Sequence, residues 1–266
     1  MTSDPIMISE ESVSLAWGKA LKAACENQNR PLSVSIAGFS GNEPLENLEI
    51  RNVLDELFRR KKVVSVLETS ETIFPYNRWR RSKESINSLS SWYLERYLPK
   101  HRGRCRRRKL IVKETYFERL IAFKGFKNQK KGLQDILINQ LKKILFVYNH
   151  YKKIKNKPSP SKYIASLYNP STDALNLSPY VPFPCLQQVG FVFSDGAVTV
   201  NGYYTIQFLM KRGYGNYLGL CRLGQFMAHE TQLRFGRMNC FVANPRIDYP
   251  KRELDEVLAA INSYCD

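Results

Sequence analysis

The sequence predicts an α/β protein in which helices pack on a sheet. Stretches with the apolar spacing of helices alternate along the chain with short runs typical of strands. The chain has 266 residues, of which 43% are hydrophobic and 12% aromatic, enough for one large domain or two small ones. This composition supports a sizeable core and excludes a wholly disordered protein.

The first third of the chain begins with this alternation. A helix is predicted over 10–25, where apolar residues share one face, and Ser9 is its expected N-cap. Apolar and polar residues alternate over 32–36, which predicts a half-buried strand. A second helix is predicted over 50–57, and the apolar run 63–67 predicts another strand.

Helical spacing returns in the middle of the chain, over 82–98, 113–123 and 131–153. The segment 156–160 contains two prolines, which cannot continue a helix and disfavour helical backbone in the residue before them. We expect a linker there, followed by a strand over 163–168.

The C-terminal half is predicted to contain a hairpin, a helix, a strand and a last helix. Asp195-Gly196 is a residue pair favoured in two-residue hairpin turns, and apolar strands over 186–193 and 198–204 flank it. The elements after the hairpin are a helix that begins at Asn216, a strand over 239–243 and a helix that begins at Pro250. We predict a single domain over 1–266.

The net charge of +17 is concentrated in one segment. Residues 100–162 hold 20 lysines and arginines against three acids, and the rest of the chain is balanced. We predict a basic, largely helical segment within the domain. Such a segment attracts nucleotide phosphates, nucleic acid or an acidic partner, or else it is a solvated insertion that maintains solubility.

The six cysteines form no C-x-x-C pair and no metal-type spacing with the three histidines, so we expect free thiols and no metal site. No apolar run approaches the roughly 18 residues of a membrane span. The N-terminal residues lack the basic and apolar regions of a secretory signal. These features predict a cytoplasmic protein without a membrane segment.

Cys185 follows a proline at the entrance to a predicted strand. By itself this position suits either a small buried apolar residue or a nucleophile. A nucleophile requires the thiolate form, which nearby positive charge from Arg212 or Arg246 would favour.

The segment 184–236 resembles the C-terminal half of thymidylate synthases and of the related pyrimidine nucleotide hydroxymethylases. No insertion or deletion is needed across it, and the 31-residue step from Cys185 to Asn216 matches the family. The matching features are Pro184-Cys185, the Asp195-Gly196 hairpin, Asn216 at a helix start, and Leu233-x-x-Gly236. Upstream, Gln140 to Lys143 and Ser166 to Asn169 also resemble family segments.

The resemblance implies a thymidylate-synthase-like fold, a mixed sheet flanked by helices, here with a basic helical insertion. It implies that Cys185 adds to C6 of a pyrimidine and that methylene-tetrahydrofolate supplies a one-carbon unit at C5. The Asn216 amide would recognise the base, although asparagine is also a common helix N-cap. Glu68, or secondarily Glu71, would transfer protons, although Glu68 also suits a surface salt bridge.

The same resemblance suggests residues for substrate binding. Lys162 falls on one of the family's paired phosphate-binding arginines, and Arg246-x-Asp248 falls on its sugar-binding His-x-Tyr. With Arg212, these residues would bind the phosphate and the sugar in a different way from the family. Trp79 would line a pocket for the base or the pterin, or else belong to the core.

Our leading hypothesis is a one-carbon transferase that methylates or hydroxymethylates the pyrimidine ring of a nucleotide or a nucleotide-derived substrate. The resemblance also implies a homodimer. The alternative is a nucleotide-sensing or nucleic-acid-binding module on the same fold, with 100–162 as its contact surface. A third hypothesis combines the two, as a base-modifying enzyme that docks a polynucleotide.

Overall fold

The computed structural model describes residues 4–27, 30–107, 114–129, 132–151, 159–175, 184–250 and 253–264. The strands are β1 (Ile6–Glu10), β2 (Leu32–Ile36), β3 (Phe39–Ser40), β4 (Glu43–Pro44), β5 (Phe123–Gln129), β6 (Gly132–Ile138), β7 (Ile164–Ser166), β8 (Leu186–Ser194), β9 (Ala197–Tyr204), β10 (Gln207–Phe208), β11 (Arg234–Val242) and β12 (Pro245–Arg246). The helices are α1 (Val13–Glu26), α2 (Leu48–Arg60), α3 (Val66–Glu71), α4 (Tyr76–Ser82), α5 (Ile86–Trp92), α6 (Leu98–Arg107), α7 (Tyr116–Ile121), α8 (Gln140–Tyr151), α9 (Tyr214–Thr231) and α10 (Asp255–Asn262). Among these described helices, none has both the length and the apolar character needed to cross a membrane.

The main sheet is mixed and has six strands in the order β1-β2-β11-β9-β8-β7. β1 is parallel to β2, and β11 is parallel to β9, whereas the other neighbours are antiparallel. Leu186 at the start of β8 pairs with Tyr204 at the end of β9, which pairs with Val242 at the end of β11. We call this end of the sheet the Cys185 edge, because Cys185 immediately precedes β8.

The helix α9 runs through the centre of the fold and packs on β9, β11, α1 and α3. Of its 18 residues, only His229 and Glu230 are not buried. Glycines in α9 allow close contact with α3: a Cβ at Gly215 would lie 2.6 Å from Thr69 Cβ and 2.8 Å from the Val66 carbonyl oxygen.

The two faces of the sheet differ. Core side chains such as Ile8 and Cys240 point towards the helices, and the residues next to them in each strand point away. The opposite face exposes apolar side chains of five strands, which are Met7 (73% exposed), Ile164 (46%), Val192 (48%), Tyr203 (40%) and Phe241 (38%). We call it the open sheet face.

The structure confirms the predicted α/β class, the strand 32–36 and the hairpin at Asp195-Gly196. The predicted strand over 63–67 is wrong, because Ser65 caps α3, which begins at Val66. The basic segment 100–162 is also less helical than expected. The antiparallel ribbon of β5 and β6 precedes α8, so the helix predicted over 131–153 occupies only its second part.

One further prediction differs at an element end. Helix α1 is capped by Ser12 rather than Ser9, because strand β1 occupies the residues before it. Gly236, which closes the Leu233-x-x-Gly236 match, lies within β11. The predicted linker 156–160 lies mostly outside the described residues, as do 108–113, 130–131 and 152–155 of the basic segment.

The contact between α3 and α9 predicts the effect of a small substitution. Gly215→Ala should lower the free energy of unfolding by about 1–3 kcal/mol, because the added methyl has no room against the α3 backbone. The matched control is Gly190→Ala in β8, where a Cβ would meet nothing within 4 Å. Urea denaturation followed by circular dichroism measures both, and equal midpoints would contradict the close contact.

Candidate functional site

Cys185 is half-buried at the start of the Cys185 edge, where its carbonyl oxygen accepts a hydrogen bond from the Thr205 N–H at 3.1 Å. The hydroxyl of Tyr116 interacts with the Cys185 thiol and with the backbone N–H of Leu186. The thiol is therefore neither sealed in the core nor free in solvent. A hydroxyl donor beside a sulfur is one of the groups that stabilise a thiolate.

Tyr116 is the first residue of α7, and a backbone hydrogen bond fixes its position. The N–H of Phe117 donates to the carbonyl of Thr72 at 2.8 Å, which joins α7 to the end of α3. Burial and the neighbouring Cys185 raise the pKa of the Tyr116 hydroxyl, and the nearby Arg212 guanidinium opposes this shift. Tyr116 therefore keeps its proton near neutral pH and remains a donor.

Arg212 lies in a π-helical turn, Leu209–Gly213, directly before α9. Its Nη1 donates to Thr69 Oγ1 at 3.1 Å, and its side chain is otherwise exposed. Asp248 Oδ1 accepts from the backbone N–H groups of Met210 (3.1 Å) and Lys211 (3.3 Å) and so holds this turn. The predicted substrate ligand Asp248 therefore has a positioning role for Arg212.

Asn216 lies inside α9, which begins at Tyr214, so the N-cap interpretation is wrong. The residue is 5% exposed, and its amide forms no hydrogen bond with any other described residue. An amide offers both donors and acceptors, which suits recognition of a polar ring edge. Its position therefore suits a group that a ligand completes.

Packing brings the first turns of α9 to the Cys185 edge. A Cβ at Gly202 would lie 2.8 Å from the Leu220 side chain and 3.6 Å from that of Leu186, so these elements meet directly. Leu220 is one helical turn beyond Asn216. The buried hydroxyl of Tyr204, which has no hydrogen-bond partner in the described part of the chain, is close to both Cys185 and Tyr217.

The two candidate glutamates of α3 have different roles. Glu68 is exposed and completes a capping box, accepting from the Ser65 N–H at 3.1 Å while Ser65 Oγ accepts from the Glu68 N–H at 3.2 Å. Glu71 is half-buried, and its carboxylate accepts from the Asn77 N–H at 3.0 Å. Burial raises the pKa of Glu71, although hydrogen bonds and Arg222 oppose the shift. Glu71, the second choice from the sequence, is the better candidate for proton transfer.

Arg222 is the positive group opposite Glu71 and was not predicted. It is 8% exposed in the middle of α9, and its Nη1 donates to Ser70 Oγ at 2.7 Å. Its guanidinium lies 4.6 Å from the ring centroid of Tyr76. The signal in the sequence is a lone arginine within an otherwise apolar helical pattern.

Two predicted ligands lie away from Cys185. Lys162 precedes Tyr163, whose carbonyl accepts from the Phe191 N–H, so it sits about 20 Å along β8 from Cys185. Trp79 is 2% exposed and packs on Phe226, about 15 Å along α9 from Asn216. Trp79 is therefore a core aromatic residue, and Lys162 belongs to the opposite end of the sheet.

Arg246 lies nearer the site, on the exposed side of the short parallel pair of β10 and β12. It is in register with Phe208, which directly precedes the turn that carries Arg212. Arg212 and Arg246 are therefore two exposed cations on neighbouring backbone segments. Together they provide positive charge on the α9 side of the site.

A buried ion pair fastens β7 beside the Cys185 edge. Arg119 donates to both carboxylate oxygens of Asp173, at 2.6 and 2.9 Å, and to the Leu167 carbonyl at 2.6 Å. Burial alone would raise the pKa of Asp173, but the bonds from Arg119 and from the Asn169 N–H lower it. The Leu167 N–H in turn donates to the Gln187 carbonyl, two residues from Cys185, at 2.8 Å.

No protein-family model matches this chain, and no curated protein shows significant similarity to it. The described cysteines at 25, 105, 185, 221 and 240 form no disulfide with one another. Within the described ranges, His, Cys, Asp and Glu side chains form no group of three that would hold a metal ion. The functional argument therefore rests on the geometry at the Cys185 edge and on the resemblance of 184–236.

Proposed function

We propose that this protein is a one-carbon transferase that acts on the pyrimidine ring of a nucleotide or nucleotide-derived substrate. The observation that carries the proposal is the half-buried Cys185 thiol, which interacts with the Tyr116 hydroxyl, together with the exposed Arg212 guanidinium, whose charge also acts on Tyr116. A structural cysteine needs neither group. The Asn216 amide at the same end of the sheet, which forms no hydrogen bond with another described residue, supports it.

In the proposed reaction the Cys185 thiolate forms a bond to C6 of the ring, and the C5–C6 π electrons move towards the C4 carbonyl. The resulting enolate is nucleophilic at C5 and takes up an electrophilic carbon or a proton. Loss of the original C5 proton and departure of the thiolate then restore the ring. Asn216 orients the base, and Glu71 transfers protons through water.

Positive charge near the site fits a phosphate on the substrate. Arg212 and Arg246 are exposed, and a guanidinium forms paired, charge-assisted hydrogen bonds with phosphate oxygens. Lys162 has no part in this proposal because of its distance. The phosphate site would therefore be formed from the turn before α9 and from β12.

The carbon donor that the resemblance implies is methylene-tetrahydrofolate. Trp79, expected to line a pocket for its pterin, is enclosed by Phe74, Phe226 and His229 and is not available for stacking. The described residues therefore do not show a folate cradle. Cys185, Asn216 and Glu71 therefore act on the pyrimidine itself in the proposed reaction.

The C5 exchange reaction tests the proposal directly. Wild-type protein should exchange the C5 hydrogen of a pyrimidine nucleotide with deuterated solvent, and Cys185→Ala should lower the rate at least about a thousandfold. Mass spectrometry of a nucleotide panel, with and without methylene-tetrahydrofolate, measures it. Cys25→Ala, a half-buried cysteine on α1, is the matched control.

Two outcomes would contradict the transferase. One is exchange that persists in Cys185→Ala, and the other is no exchange with any nucleotide of the panel. In the second case, salt-dependent binding of oligonucleotides that Cys185→Ala leaves unchanged would favour the nucleic-acid-binding alternative, in which the Arg-rich end of α6 makes contact.

The roles of the two glutamates can be separated by their pH–rate profiles. Because burial raises the pKa of Glu71, the limb it governs should lie above the usual range of a glutamate. Glu71→Gln should remove that limb and lower exchange about a hundredfold. Glu68→Gln should keep the profile and most of the stability, because glutamine also completes a capping box with Ser65. Loss of the limb in Glu68→Gln, with an unchanged profile in Glu71→Gln, would assign proton transfer to Glu68 instead.

We also propose that a second copy of the chain covers the open sheet face, as the resemblance implies. The face is broad and displays exposed apolar side chains on five strands. Tyr203 and Phe241 stack there with parallel rings 6.0 Å apart. A twofold dimer buries the same patch of both copies, so the open sheet face alone can form the whole interface.

Analytical ultracentrifugation tests the dimer. Phe241→Glu should weaken association at least about thirtyfold, because it buries a charge at the centre of the interface. The control is Phe146→Glu, a more exposed aromatic residue on α8. A wild-type monomer, or dimers equally stable in both variants, would contradict this interface.

A further inference from the structure

A hollow of about 460 Å³ lies at the end of the sheet opposite Cys185. Its described lining includes four aromatic residues and one carboxylate, which are Tyr148, Tyr151, Tyr163, Phe193 and Asp195. Phe193 is about 26 Å along β8 from Cys185, so this aromatic hollow is separate from the candidate active site.

Three of the rings form a compact group. The centroid of Phe193 lies 4.3 Å from that of Tyr148 and 4.9 Å from that of Tyr163, and the two tyrosines are 6.3 Å apart. The planes of Tyr163 and Phe193 meet at 85°, so one of these two rings presents its edge to the other. The rings of Tyr148 and Phe193, whose planes meet at 30°, pack on each other, so the three rings form one continuous aromatic wall of the hollow.

Asp195 contributes negative charge to the rim. It occupies the hairpin turn with φ of 51°, before Gly196 with φ of 69°, so the turn holds it at the hollow. Its carboxylate is exposed and forms no ion pair with another described residue. Lys162 and Arg234 each follow or precede a lining residue in the chain; both are exposed and neither lines the hollow, although the backbone N–H of Arg234 donates to the Gly196 carbonyl at 3.0 Å.

These features have a common chemical preference. The face of an aromatic ring attracts a cation within about 6 Å of its centroid, and several rings together select cations with apolar surfaces. A strongly hydrated ion would lose its water, and an anion would be repelled by Asp195. The one charged group among the described lining residues is negative, whereas the protein as a whole carries +17.

We propose that the aromatic hollow binds a small organic cation whose ammonium nitrogen carries methyl groups. The methyl groups contact the rings of Tyr148, Tyr163 and Phe193, and the positive charge faces Asp195. The site is independent of the chemistry at Cys185. The proposal therefore stands or falls separately from the transferase.

Calorimetric titration with choline tests the proposal, with the neutral alcohol in which a carbon replaces the nitrogen as the matched ligand. Choline should bind at least about fivefold more tightly, because only the cation gains from the ring faces and the carboxylate. Cys185→Ala should bind choline as the wild type does. Absence of choline binding, or equal affinity for the alcohol, would overturn the proposal.

Variants locate the binding. Asp195→Asn keeps a residue that tolerates positive φ and should weaken choline binding about threefold. Tyr163→Leu should weaken it about fivefold or more by removing a ring, whereas Tyr148→Phe keeps the ring and should change little. Circular dichroism verifies folding of each variant. Affinity that is unchanged in both Asp195→Asn and Tyr163→Leu would overturn the assignment.

Discussion

The burial of α9 on all sides is the constraint on which the rest of the fold depends. A helix enclosed by the sheet, α1 and α3 has little room for polar side chains, because each one must leave water. The glycine at 215 lets the α3 backbone approach closely, which brings Thr69 against the first turn of α9 and within reach of Arg212. The distance between two helices therefore decides which groups can meet at the Cys185 edge.

The polar residues that α9 does bury are satisfied to different degrees. Arg222 donates to Ser70, lies over the ring of Tyr76 and has Glu71 as a nearby counter-charge. The fully buried side-chain atoms of α9 that lack a partner in the described structure are the Tyr217 hydroxyl, Arg222 Nε and Gln225 Oε1. The Asn216 amide is not one of these atoms, although it forms no hydrogen bond with another described residue. A ligand at the Cys185 edge would supply hydrogen bonds to it.

The sequence was most informative where one local signal decided the structure. Asp195-Gly196 determined the hairpin, and alternation determined β2, because both depend on neighbouring residues alone. At Ser65 two signals competed, and the capping box with Glu68 prevailed over the β-branched run before it. Cys185, Asn216 and Arg212 were identified from the resemblance, but Tyr116 carries no local pattern. Its place beside Cys185 follows from the bond between Phe117 and Thr72, which joins segments distant in sequence.

The surroundings of Arg212 indicate how this site would bind phosphate without the paired arginines of the family it resembles. A guanidinium has five N–H donors, and the described structure uses one of them, on Thr69. That bond, together with the Asp248 carboxylate under the turn, orients the side chain before any ligand arrives. A pre-oriented guanidinium loses less conformational freedom on binding than a flexible lysine. Arg212, with Arg246 on the adjoining strand, would therefore provide a pre-oriented guanidinium for phosphate, which an exposed lysine at position 162 does not.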